Sequence, residues 1–131
     1  MIEPLQYTGI LEKLLRKTAD GRLDWSAADN DRFLCQLDEK YVFTVWRTEG
    51  GFGAKMEAGT LQFLGGLAPS PEWQEPPARV FEITIDDRIY FESPEEKRAF
   101  ELLSDLHEVA RRSALRVPER LSEAAQLLDK I

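Results

Sequence analysis

Phe33-Leu34-Cys35-Gln36-Leu37-Asp38-Glu39-Lys40-Tyr41-Val42-Phe43-Thr44-Val45-Trp46 is the stretch that sets the fold class. Phe33, Cys35 and Leu37 alternate with Leu34, Gln36 and Asp38, and Tyr41, Phe43 and Val45 alternate with Val42, Thr44 and Trp46. Side chains on a strand point to opposite faces in turn, so each run carries one strongly apolar face. The polar Asp38-Glu39-Lys40 between the runs suits a hairpin turn. The same alternation returns at Leu61 and Phe63 (against Thr60, Gln62 and Leu64), at Phe81, Ile83 and Ile85 (against Val80, Glu82 and Thr84), and around Tyr90 between Ile89 and Phe91. Short alternating runs separated by turn residues predict an antiparallel meander of about five strands. The expected links are Asp38-Glu39-Lys40, the glycine-rich stretch 49–54, a long loop over 65–78, and Asp86-Asp87.

Helices are expected at both ends. From Pro4 to Ala19, Tyr7, Ile10, Leu11, Leu14 and Leu15 fall on one helical stripe, and Glu12 is spaced to pair with Arg16. Asp20-Gly21 supplies the stop. Ser93-Pro94-Glu95-Glu96 has the composition of a helix start, with a capping serine and proline at the first helical position. Phe100, Leu103, Leu106 and Ala110 continue an apolar face, broadened by Leu102 and Val109. A last helix starts near Pro118 with a stripe of Leu121, Ala124, Ala125, Leu128 and Ile131. Helix, strands, helix, helix, without βαβ alternation, predicts one α+β domain over residues 1–131: an N-terminal helix, the antiparallel sheet, and two C-terminal helices packed on it.

Composition narrows the function classes. The 131 residues hold one Cys and one His, with 43% apolar side chains and a formal net charge of −7. A single Cys excludes an internal disulfide framework or a Cys-rich zinc site. No basic-then-apolar leader opens the chain and no apolar run reaches bilayer length, so a cytoplasmic protein without membrane contact is expected. The acidic balance disfavours phosphate-backbone recognition, so no nucleic-acid partner is expected, and it favours a basic protein partner.

Side chains capable of chemistry are sparse. Cys35 is in phase with Phe33 and Leu37, the position of a buried, inert thiol. His107 lies mid-helix beside Leu106 and reads as a boundary residue. Asp86, Asp87, Glu92 and His107 would be the candidates for a metal-assisted hydrolase, yet their spacing matches no cation loop, and Asp86-Asp87 reads first as a turn. Gly50-Gly51-Phe52-Gly53-Ala54-Lys55 lacks phosphate-loop spacing and reads as a flexible hairpin connection. Arg111, Arg112, Arg116 and Arg120 concentrate where a helix C-terminus favours cations. No catalytic residue, cofactor or metal is expected.

Features suited to binding are aromatic and acidic. Trp73 lies in the proline-rich stretch Pro69-Ser70-Pro71-Glu72-Trp73-Gln74-Glu75-Pro76-Pro77, where an aromatic side chain can anchor a partner or fold back over the sheet edge. Trp46 is out of phase with Phe43 and Val45 and faces the opposite side, together with Leu34, Val42, Val80 and Tyr90. Either the N-terminal helix covers that side, which is the favoured expectation, or it is a partly apolar surface open to a partner. Trp73, Trp46, Tyr90, Glu72 and Glu75 are therefore the candidate partner-binding residues.

Leu14-Leu15-Arg16-Lys17-Thr18-Ala19-Asp20-Gly21-Arg22-Leu23-Asp24-Trp25 carries a Leu-Leu-x-Lys-Thr-x-x-Gly-x-Leu-x-Trp pattern. It resembles small uncharacterised bacterial proteins associated with mobile-element and defence loci, as does the pair of C-terminal helices. The resemblance implies packing roles for Gly21, Leu23 and Trp25, brings no catalytic residues, and suggests an accessory, adaptor or immunity-type subunit. A non-enzymatic interaction module is thus the expectation, with a metal-assisted hydrolase or a structural homodimer as alternatives.

Overall fold

The computed structural model describes residues 4–29, 31–63, 71–73, 76–87 and 90–131. Helix α1 (Pro4–Ala19) leads to strands β1 (Ser26–Ala27), β2 (Arg32–Leu37), β3 (Tyr41–Arg47) and β4 (Gly51–Ala58). A small hairpin of β5 (Leu61–Phe63) and β6 (Pro71–Trp73) follows, then β7 (Ala78–Asp86) and helices α2 (Pro94–Ala114) and α3 (Val117–Asp129). The main sheet is antiparallel, in the order β1-β2-β3-β4-β7, and β5 pairs only with β6. The fold is therefore the α+β class that the alternating runs imply.

Local chemistry accounts for the element ends. Gly21 sits at φ +76°, and the N–H groups of Arg22 and Gly21 bond back to the carbonyls of Lys17 and Thr18. This pair of bonds satisfies the last carbonyls of α1 and needs a left-handed residue, which glycine supplies without steric cost. At the start of α2 the Ser93 hydroxyl accepts from the Glu96 N–H at 3.1 Å, as a helix cap should.

The core lies between the sheet and the pair α1/α2. Phe33, Cys35, Phe43, Val45, Ala54, Phe81 and Ile85 point from the sheet toward Leu102, Leu103, Leu106 and Ala110 of α2 and Leu11 and Leu14 of α1. Helix α1 packs chiefly on α2, and Glu12 pairs with Arg98 of α2 at 3.3 Å instead of with Arg16. The helix that was to cover Trp46 therefore lies on the opposite side of the sheet. The reason is α1's own stripe: Leu11 and Leu14 are satisfied by joining the α2 cluster.

Three strand assignments change. The glycine-rich stretch is not a flexible connection but the start of β4, which is central, pairing with β3 on one side and β7 on the other. Its glycines serve close packing. A Cβ on Gly51 would collide with the Ile85 carbonyl oxygen, and one on Gly53 would enter the Trp46 ring. Leu61 and Phe63 leave the main sheet for the β5–β6 hairpin, and the chain after β7 shows no strand at Tyr90 or Phe91. Ile89 and Leu64 lie outside the described residues.

The outer face of the sheet is partly covered. Val42 and Thr44, which alternate with Phe43 and Val45, are fully buried there. Gln36 holds the chain that follows β4 onto this side: its amide donates to the Tyr41 and Gly59 carbonyls at 2.9 and 3.3 Å, and its carbonyl accepts from the Leu61 N–H at 2.9 Å.

Candidate functional site

The end of α1, the loop to β1, the end of α2 and the start of α3 enclose an open cleft of about 730 Å³. Its wall is built by the Thr18–Trp25 segment. The Trp25 indole Nε1 donates to Thr18 Oγ1 at 2.9 Å, and that hydroxyl donates to the Leu14 carbonyl at 2.7 Å. The Trp25 N–H donates to the Ser113 hydroxyl at 3.2 Å, which ties the loop to α2. Leu23, Val109, Ala114 and Pro118 give the cleft an apolar lining, and Asp24, Arg112, Arg116 and Glu119 bring balanced charge to it.

Helix α3 rises from this cleft. Arg116, between α2 and α3, takes a left-handed conformation at φ 54°, ψ 46°, and Pro118 falls in the first turn. No residue of α3 is buried. Leu121 and Leu128 are 61% and 68% exposed, and Leu127 and Ile131 are exposed beside them. The stripe expected to pack on the sheet therefore faces outward. Helix α2 lies on the core face of the sheet, α1 packs chiefly on α2, and α3 touches mainly the end of α2.

The aromatic candidates occupy three different environments. Trp73 is half-buried opposite Leu61, with its ring against Gly59, where an added Cβ would meet it at 2.8 Å. Trp46 is half-buried on Gly53, with the Arg32 guanidinium 4.9 Å from its ring centroid, a cation–π contact. Tyr90 stands 85% exposed. The backbone of Glu72 pairs with Gln62, and Glu75 lies outside the described residues.

The titratable candidates do not gather. His107 is buried between the Phe33 and Phe52 rings, at centroid distances of 5.3 and 5.4 Å, and its Nε2 lies 3.1 Å from the Asp31 carbonyl. A carbonyl only accepts, so this nitrogen carries the proton and donates. Asp86 and Asp87 are exposed at the turn beside Thr48 and Gly50, where the Asp87 N–H bonds the Gly50 carbonyl at 2.7 Å; Glu92 is exposed. Among the described residues no group of three or more His, Cys, Asp or Glu side chains is placed to hold a metal ion. Burial, reinforced by the charge of Asp24, pushes the Cys35 thiol up to about 11, which keeps it protonated and unreactive at neutral pH. Arg111 is held by Glu108, with bonds of 2.7 and 3.0 Å, and the Glu108 carboxyl titrates below its usual range because it accepts them.

The sequence pattern gives Leu121 and Leu128 packing roles, and the resemblance gives them to Gly21, Leu23 and Trp25. What separates α3 from α1 and α2 is tertiary: the leucines of α1 join the α2 cluster, and none of α3 does. Among the described residues, no helix is long and apolar enough to cross a membrane. Comparison with known proteins finds no matching family model, no matching curated protein and no matching solved structure.

Proposed function

We propose that this chain is a protein-interaction module and that α3 is its docking element. The observation that carries the reading is a 13-residue amphipathic helix none of whose residues is buried. A helix of this length is marginal alone in water, and its apolar stripe gains stability only when something covers it. Exposed leucines at helical spacing are the anchors of helix-in-groove and helix-on-helix recognition. The net charge of −7 favours a more basic partner at long range, while the leucines supply the affinity. The likeness of the Leu14–Trp25 stretch to proteins of mobile-element and defence loci suggests an accessory, adaptor or immunity-type subunit.

The test compares the wild type with a Leu121→Lys, Leu128→Lys variant, by light scattering and by co-purification from the native host at low and moderate salt. One stoichiometric partner, present with the wild type and lost with the variant, supports the reading. A dimeric mass lost in the same variant identifies the partner as a second copy. A monomer without a partner, or a partner retained by the variant, overturns α3 as the docking element.

A further inference from the structure

Among the described residues a second unpaired surface is the outer edge of β7, separate from α3. This strand ends the main sheet, with β4 as its sole strand neighbour among the described residues. The Asp87 N–H bonds the Gly50 carbonyl, and the β4–β7 register places Asp86 opposite Gly51, Ile85 opposite Phe52 and Ile83 opposite Ala54. In an antiparallel ladder bonded pairs alternate with unbonded ones, so Ile85 and Ile83 are turned toward β4. Glu82, Thr84 and Asp86 consequently aim their N–H and C=O groups away from the sheet, and their side chains are exposed on its outer face. A row of free donors and acceptors of this kind is a template for one more strand.

The side chains along this edge define what fits. On the outer face stand Glu82, Thr84 and Asp86, followed by exposed Asp87; only Glu82 has an ion partner among the described residues, the exposed Arg79 at 3.4 Å. On the helix-bearing face Phe81 and Ile85 are buried and Ile83 is half-exposed, which offers an apolar ledge. Residues directly opposite in an antiparallel pair share a face. An incoming strand would therefore alternate apolar residues, over Ile83, with basic residues, over Glu82 and Asp86.

A second copy fits poorly. A two-fold pairing centred on Thr84 sets Glu82 against Asp86 of the other copy, and one centred on Glu82 sets the two Glu82 side chains together; those centred on Ile83 or Ile85 set Thr84 against Glu82 or Asp86, with an acid of the other copy on the diagonal. The register also shifts between Met56/Glu57, where β4 passes from pairing with Phe81 to pairing with Arg79; Val80 is left unpaired there as a bulge, which confines regular pairing to the Phe81–Asp86 end. The geometry points to the β7 edge as a docking site for an extended segment of a partner protein in which Lys or Arg alternates with apolar residues.

The test measures hydrogen exchange of the full chain by NMR, alone and with a synthetic peptide of about eight alternating lysine and valine residues, a typical strand length. The amides of Glu82, Thr84 and Asp86 should exchange quickly in the free protein and gain about tenfold or more protection with the peptide. A peptide alternating glutamate and valine should give none. Thr84→Pro removes an outward donor without touching the β4 ladder, and it should abolish binding, as should Glu82→Lys with Asp86→Lys. The Leu121→Lys, Leu128→Lys variant should bind the peptide as the wild type does, which separates this site from α3. Protection already present in the free protein, or peptide binding that survives Thr84→Pro as diffuse charge attraction, overturns the proposal. Because the exchange pattern is read on the wild type, the proposal stays testable even if the proline variant fails to fold.

Discussion

Helices α2 and α3 are built from the same kind of sequence and meet opposite fates. Both carry proline in the first turn and an apolar stripe at helical spacing. Helix α2 buries Ala99, Leu102, Leu103, Leu106, His107 and Ala110, whereas α3 buries nothing. Their starts differ as well: α2 is capped by Ser93, while α3 begins from left-handed Arg116 without a side-chain cap. A stripe states that a helix has an apolar face, but not whether the same chain covers it. The contrast separates residues that hold the fold from residues available to a partner.

The sharpest way to break the contrast is to truncate one leucine on each helix. Leu103→Ala should cost about 2–5 kcal/mol in urea unfolding, the range for an aliphatic side chain deleted from a packed core. A loss near zero there would mean that α2 is not the keystone of the core. Next in size is Gly51→Ala. Its new methyl would be driven against the Ile85 backbone, which cannot swing aside, so a loss of about 1–3 kcal/mol is expected. Gly53→Ala should cost less, because the obstacle there is the movable Trp46 side chain. Ser93→Ala should remove about 1 kcal/mol, the usual worth of a helix cap. At the small end, Leu128→Ala should leave the unfolding midpoint of the isolated chain within about 0.5 kcal/mol of wild type. If it instead rivals Leu103→Ala, α3 is covered in solution, and rerunning the titration at several protein concentrations would show whether a second copy covers it.

Much of the fold was legible because period-two and period-three-to-four patterns are local. The runs Phe33–Leu37 and Tyr41–Trp46, the cap at Ser93 and the stop at Gly21 each reveal themselves within a few residues. The strand at Gly51–Ala58 did not, because its evidence is long-range. Glycine is ordinarily a poor strand former, and Gly51 and Gly53 make sense only once Ile85 and Trp46 are known to press on them. The side of the sheet chosen by α1 was hidden for the same reason, since its leucines have no preference written in their spacing. The candidate site was least legible. Trp46, Trp73 and Tyr90 were singled out by residue type, yet their environments range from a ring clamped between Arg32 and Gly53 to a ring open to solvent. Leu121 and Leu128 have the spacing of core residues, yet no residue of α3 is buried.

The corner at Arg116 has a mechanical consequence. If Arg116 relaxed to the right-handed region, α2 and α3 would fuse into one straight rod, relieving about 1–2 kcal/mol of left-handed strain. Pro118 would then lie inside that rod, without an N–H to offer and with its ring against the Ala114 carbonyl, at a cost of about 3 kcal/mol. The proline penalty exceeds that relief, so Pro118 favours the bent form. The helix is thus aimed by a contest between two residues, like a bracket fixed at its elbow, and an arm held at a set angle before its partner arrives surrenders less freedom on docking than a tethered one.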